Sequence, residues 1–176
     1  MTDPTPQPAV LALGSNLGDR LATLAAAITA LEQVPGLDLT GVSPVYESAA
    51  VKVGGVDDDA PRYLNLVAGI RYTGDPHTLL DAVNAIENEH GRVRAERWGD
   101  RTLDIDIVVF GELELHDDRL DVPHPRAFER DFVLAPWLDL DPEAVLPGRG
   151  PVRALLAAID STVRPHPVAL TSGGSR

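Results

Sequence analysis

The chain of 176 residues has no cysteine. That excludes a disulfide scaffold, a thiolate metal site and a cysteine nucleophile. Long apolar runs are missing too: none approaches the roughly 20 residues needed to span a bilayer. Basic charge is scarce, since 15 Lys and Arg stand against 27 Asp and Glu for a net charge of −12. So acidic a surface is repelled by polyanions, which argues against a nucleic-acid or membrane-surface partner. No G-x-G-x-x-G and no G-x-x-x-x-G-K-[ST] run occurs, so an ordinary dinucleotide or P-loop site is not expected. The five histidines, His77, His90, His116, His124 and His166, include no pair at zincin spacing. The opening stretch Met1–Pro8 lacks a basic region ahead of an apolar one. No secretory signal is therefore expected, and a cytoplasmic location is.

What is present suits one globular domain, with 44% hydrophobic residues and a length within the usual domain range. Residues 1–8 read as a flexible leader, 9–160 as a single domain and 161–176 as a flexible tail. The run Val10–Leu13, ending at Gly14, predicts a buried strand. Leu21, Leu24, Ala25, Ile28 and Leu31 recur at helical spacing until Pro35-Gly36 stops them, with Ser15 or Asn16 as a cap. Leu37–Tyr46 and Tyr63–Tyr72 alternate as strands, and Glu47–Arg62 between them reads as a mobile surface loop. Asp75-Pro76 opens a second helix that runs to Glu89. A second long loop, His90–Arg101, precedes a strong strand, Leu103–Phe110. Leu113–Leu115 suggests a short returning strand, and Phe132–Leu140 and Val152–Ile159 suggest helices. The order β-α-β-β-α-β predicts an α+β fold with a ferredoxin-like core, additional C-terminal helices and a short hairpin.

Chemistry concentrates in a few places. Asp104 and Asp106 lie two apart on a predicted strand, so both side chains share one face while Leu103, Ile105 and Ile107 point the other way. Paired carboxylates repel unless a cation sits between them, and a hard ion such as Mg²⁺ takes such oxygens together with phosphate. Incidental aspartates on a solvent-facing strand edge would look the same. Arg92, Arg94, Arg97 and Arg101 crowd the loop just before that strand, around Trp98. They suit a polyphosphate, because the guanidinium fork donates two parallel hydrogen bonds. They equally suit a solvated loop paired to Glu87, Glu89, Glu96 and Asp100. His124 is held between Pro123 and Pro125, as a positioned donor or a packing residue. Tyr63 and Asn65 share a strand face that offers a flat ring and an amide, or ordinary strand surface.

In order along the chain, Gly14-Ser15-Asn16-Leu17-Gly18, Ser43-Pro44-Val45-Tyr46-Glu47, Tyr63-Leu64-Asn65, Gly91-Arg92-Val93-Arg94, Arg97-Trp98-Gly99, Arg101-Thr102-Leu103-Asp104-Ile105-Asp106-Ile107 and Val122-Pro123-His124-Pro125 resemble the 6-hydroxymethyl-7,8-dihydropterin pyrophosphokinases of folate biosynthesis. The resemblance covers about residues 9–159. It implies transfer of pyrophosphate from ATP to the pterin hydroxymethyl group, with AMP released and two Mg²⁺ ions held by Asp104 and Asp106. Arg92 and Arg94 would assist catalysis. Glu87, Arg92, Trp98, Arg101, His124 and Arg130 would contact ATP. Gly14, Ser48, Ala49, Tyr63, Asn65 and Phe132 would form the pterin pocket. A monomer is implied. The chain departs from the family pattern at Asp100, where proline is common, at Asn84, where glutamine is common, and in Ser48-Ala49-Ala50. A non-catalytic nucleotide- or partner-binding module of the same topology is the alternative reading.

Overall fold

The computed structural model describes residues 4–52, 55–57, 59, 62–90, 102–168 and 170. The main sheet is built from β1 (Gln7–Ser15), β2 (Leu37–Val42), β3 (Tyr46–Ser48), β6 (Tyr63–Tyr72), β7 (Asp104–Phe110) and β12 (Arg164–Pro165). A hairpin of β4 (Ala50–Lys52) and β5 (Gly55–Asp57) interrupts it. Further small pairs are β8 (Leu115–His116) with β9 (Asp121–Val122), and β10 (Val145–Leu146) with β11 (Gly150–Pro151). The helices are α1 (Arg20–Glu32), α2 (Pro76–Glu89), α3 (Asp131–Leu140) and α4 (Val152–Ala157). Among the described residues, no helix is long and apolar enough to cross a membrane.

Strand order in the main sheet is β12-β3-β6-β1-β7, with β2 also on β6, and every pairing is antiparallel. Period-2 alternation sorts the side chains between two layers. Leu11 and Leu13 of β1, Leu64, Leu66 and Ile70 of β6, and Ile105 and Ile107 of β7 turn to one face. There they meet Leu24, Ile28 and Leu31 of α1 and Leu79, Val83 and Ile86 of α2. Val67 and Val109 turn to the other face, against Val133, Leu134 and Trp137 of α3 and Val152 of α4. The side chains of Asp104 and Asp106 alternate with Ile105 and Ile107, so they open on the α3 side, beyond its apolar packing.

Several local features differ from the sequence reading. The cap of α1 is Asp19, whose carboxylate accepts from Ala22 N at 3.1 Å. Ser15 and Asn16 are buried instead. Gly18, at φ +65°, makes the turn between them. Leu37–Tyr46 is not one strand. It breaks at Ser43-Pro44-Val45, where Pro44 has no N–H to give the ladder. Ser43 N donates to Val67 O at 2.8 Å, and Ser43 Oγ accepts from Val67 N at 2.8 Å. The side chain so replaces a ladder bond, and β3 resumes on the next stretch of β6. Glu47–Arg62, expected as a mobile loop, contains the end of β3 and the β4–β5 hairpin. β1 begins at Gln7 and β12 pairs with β3, so order extends into both end segments. Asp75 caps α2 as anticipated, accepting from Thr78 N at 2.8 Å.

Helix α3 is tied to the sheet edge by the Tyr46 hydroxyl, which donates to Asp139 Oδ2. Burial, then this bond and the charge behind it, pushes the Tyr46 pKa up to about 12 from 10.0. The protonated phenol is the form the fold favours. Its contribution is complete below the unfolded value and is lost as pH rises through the folded one. Urea denaturation between pH 9 and about 12 is expected to show stability falling over that window. Tyr46→Phe should lose about 1 kcal/mol at neutral pH and flatten that part of the profile.

Candidate active site

The register of β1 assembles the site. Gly14 lies opposite Asn65 of β6 on one side and Asp104 of β7 on the other, and Ala12 lies opposite Asp106. Small residues on the middle strand leave a trough floored by β1 and walled by functional side chains. A methyl group on Gly14 would stand 3.1 Å from Asn65 Oδ1 and 3.5 Å from Tyr63 Cδ1. The glycine is thus required by close approach.

Two cavities meet at the aspartates. The larger, about 510 Å³, takes in Gly14, Ser48, Ala49, Tyr63, Asn65 and Phe132, the residues drawn together in the sequence. Asn65 is held there by its amide nitrogen, which donates to Ser48 Oγ at 2.7 Å, and both residues are buried. Its amide oxygen is turned toward Gly14. Phe132 stands at the first turn of α3, with the Arg130 guanidinium 5.6 Å from its ring centroid. The smaller cavity, about 280 Å³, is lined by Asn84, Glu87, Arg119 and His124 together with Asp104 and Asp106. Glu87 is a buried carboxylate near the end of α2.

A break in the ladder positions His124. Val10 pairs with Val109 but Leu11 with Ile107, so β7 carries one extra residue, Val108. Val108 O accepts from His124 N at 2.8 Å, which docks the Pro123-His124-Pro125 connector beside Asp106. The Val122-Pro123 bond there is cis. His124 Nδ1 accepts from Arg126 N at 3.2 Å, so the ring proton belongs on Nε2, 4.0 Å from Asp106 Oδ2. Burial lowers the His124 pKa; Asp106 opposes that, and Arg130 and Arg126 add to it. The imidazole is therefore a neutral donor at neutral pH. Arg130 Nη1 lies 3.7 Å from the same Asp106 oxygen, and burial lowers its pKa as well.

Asp106 is thus flanked by cationic or donating groups without a tight pair. Among the described residues, no group of three His, Cys, Asp or Glu could hold a metal ion. Two carboxylates on one open face fit a hard cation that completes its shell with water and phosphate oxygens. Arg92, Arg94, Trp98 and Arg101, and with them Arg97, lie outside the described residues. The sequence reading passed over Arg119, Arg126, Asp131 and Thr162, which also line the two cavities. They come from turns and element ends, where no periodic signal exists. Arg119 is braced by Asp81 at 2.5 Å, and its turn by Asp117, which bonds His77 at 2.6 Å.

Comparison with known proteins shows the family. Residues 10–142 match the family described as 7,8-dihydro-6-hydroxymethylpterin-pyrophosphokinase. A Pseudomonas aeruginosa protein named 2-amino-4-hydroxy-6-hydroxymethyldihydropteridine pyrophosphokinase is 46% identical over 148 residues, covering 84% of this chain and 89% of that one. A Bacillus subtilis protein of the same name is 43% identical over 132 residues, 75% of this chain and 77% of that one. Among solved structures, a Plasmodium falciparum HPPK-DHPS triple mutant with SDX-DHP gives a TM-score of 0.67 at 17% identity. That match covers 89% of this chain but only 44% of the larger one, and supports the mixed α/β fold with its antiparallel sheet.

The Asn65–Ser48 bond gives a direct test. Ser48→Ala leaves a buried amide donor without its acceptor, at a cost of about 1–3 kcal/mol. Chemical denaturation should show that loss. Ser48→Thr, which keeps the hydroxyl, should recover most of it.

Proposed function

The chain belongs to the 7,8-dihydro-6-hydroxymethylpterin-pyrophosphokinase family, and from that membership and the shape of the cleft we propose how its residues divide the work. The reaction is transfer of pyrophosphate from ATP to 6-hydroxymethyl-7,8-dihydropterin in folate synthesis, which leaves AMP. The core that carries it is ferredoxin-like, a reading supported by the strand order β7-β1-β6-β2 with α1 and α2 on one face.

The larger cavity is the pterin slot. Tyr63 and Phe132 stack on the ring from two sides, and Asn65, fixed by Ser48, presents its amide to the ring edge. Gly14 gives the ring room to approach the sheet. The smaller cavity takes the nucleotide, with Glu87 toward the ribose and His124 and Arg130 toward the phosphates. The Nε2–H of His124 donates to a phosphate oxygen without itself changing charge. Arg92 and Arg101, by the family resemblance, would contact the phosphates, with Arg94 and Trp98 near the nucleotide. The single observation that carries this reading is that Asp104 and Asp106 stand where the two cavities meet.

Asp104 and Asp106 would hold Mg²⁺, which when bound would supply charge neutralisation for the triphosphate and a lowered pKa for a coordinated hydroxyl. The protein's own contribution is to bring two substrates into line over β1 and to gather donors around the transferred group. Among the described residues no side chain in the cleft is an obvious strong base, so positioning and charge stabilisation carry the chemistry. A monomer is the state the family resemblance implies.

Incubation with ATP, Mg²⁺ and the pterin, followed by mass analysis, should give AMP and the pterin diphosphate in equal amounts. ADP among the products would instead mark γ-phosphoryl transfer and sink the assignment. Asp106→Ala should lower kcat at least about 100-fold while the circular dichroism spectrum stays native. Removing divalent metal with EDTA should stop wild-type turnover, and Mg²⁺ should restore it.

A further inference from the structure

Helix α3 carries Phe132 on one side of the pterin slot, and the strand edge carries Tyr63, Asn65 and Ser48 on the other. What joins these walls decides how wide the slot is. At the far end of α3 the join is the Tyr46–Asp139 bond. At the near end, beside Phe132, it is the segment 161–166. Thr162 N donates to Asp131 Oδ2 at 2.9 Å, on the residue next to Phe132. Two residues later, β12 pairs with β3, with Arg164 opposite Glu47 and Pro165 opposite Tyr46. His166 N then donates to Val45 O at 2.7 Å. The segment leaves the α3 wall, passes the cavity, which Thr162 itself lines, and is fastened to the β3 wall.

We propose that residues 161–166 are a positioning strap that fixes the spacing of the two walls and so sets the affinity for the pterin ring. The proposal rests on the reading of the larger cavity as the pterin slot. Stacking is short-ranged: contacts are best at roughly 3.5–4 Å, and a gap of about 0.5–1 Å forfeits a quarter to a half of each. A ring gripped from two sides therefore needs walls held to a fraction of an ångström. Apolar packing of Val133, Leu134 and Trp137 seats α3 on the sheet, and the strap adds directional bonds at the Phe132 end, where the ring projects into the slot. No residue of the strap lines the smaller cavity, so the nucleotide side should not respond to it.

The test uses the full chain. Thr162→Pro deletes the N–H that binds Asp131, and His166→Pro deletes the one that binds Val45. Each should raise the pterin Kd, measured by equilibrium titration, about tenfold, the size of one charge-assisted or strand-type hydrogen bond. The KM for ATP should stay within about twofold of wild type, less than the loss of a single hydrogen bond would produce. Arg164→Ala, outside the cavity lining, leaves every strap N–H in place and should retain the pterin affinity. Folded proline variants that bind the pterin as wild type does would overturn the strap. So would equal losses for both substrates, which would mark a merely structural segment. Failure of the wild-type chain to bind the pterin would instead overturn the assignment of the slot.

Discussion

The site depends on the register of one strand. β1 is paired on both sides, and at Gly14 its two partners are Asn65 and Asp104. With strands about 4.8 Å apart, that register sets Asn65 and Asp104 about 10 Å apart across the sheet, with only glycine between them. A slip of one residue in the β1–β7 ladder would turn Asp104 and Asp106 into the core and Ile105 toward solvent, and one in the β1–β6 ladder would do the same to Asn65 and its neighbours. The leucines and isoleucines packed on α1 and α2 forbid that slip. The same apolar face that holds the domain together therefore also fixes the geometry of catalysis.

The charge of the molecule sharpens this. A protein at −12 has to bind a triphosphate against its own mean field. The described cleft gathers Arg119, Arg126, Arg130 and His124 around the aspartate pair, so the local environment departs from the global one. Partial burial of His124 and Arg130 makes each donor more effective, because fewer waters compete for it. Asp106, between them, keeps them poised without a tight pair that substrate would have to break.

Much of this was legible in the sequence, and for definite reasons. The alternation of Leu103, Ile105 and Ile107 with Asp104 and Asp106 encodes both the strand and the face of the carboxylates. The stripes of α1 and α2 and the Asp75-Pro76 start are equally local signals. Other features were not local. Ser43 stands in for a ladder bond only because Val67 lies beside it, and the extra residue at Val108 shows only when β7 is laid against β1. Arg119 and Thr162 reach the cleft through turns whose positions tertiary packing decides. The cap at Asp19, in place of Ser15 or Asn16, follows from the chain staying extended to Ser15 to keep its pairing with Leu64.

The break at Pro44 divides β6 between two neighbours. Ala68–Tyr72 pairs with β2, which belongs to the core, while Tyr63–Asn65 pairs with the three-residue β3. A continuous strand would have welded these halves into one cooperative unit. The split leaves β3 a short strand of its own, held by β6 on one side and β12 on the other, so its fastening is independent of β2. The rim of the sheet is thus a separate cooperative unit from its centre, and how firmly it is held falls to the few pairs that β12 and β6 make with β3.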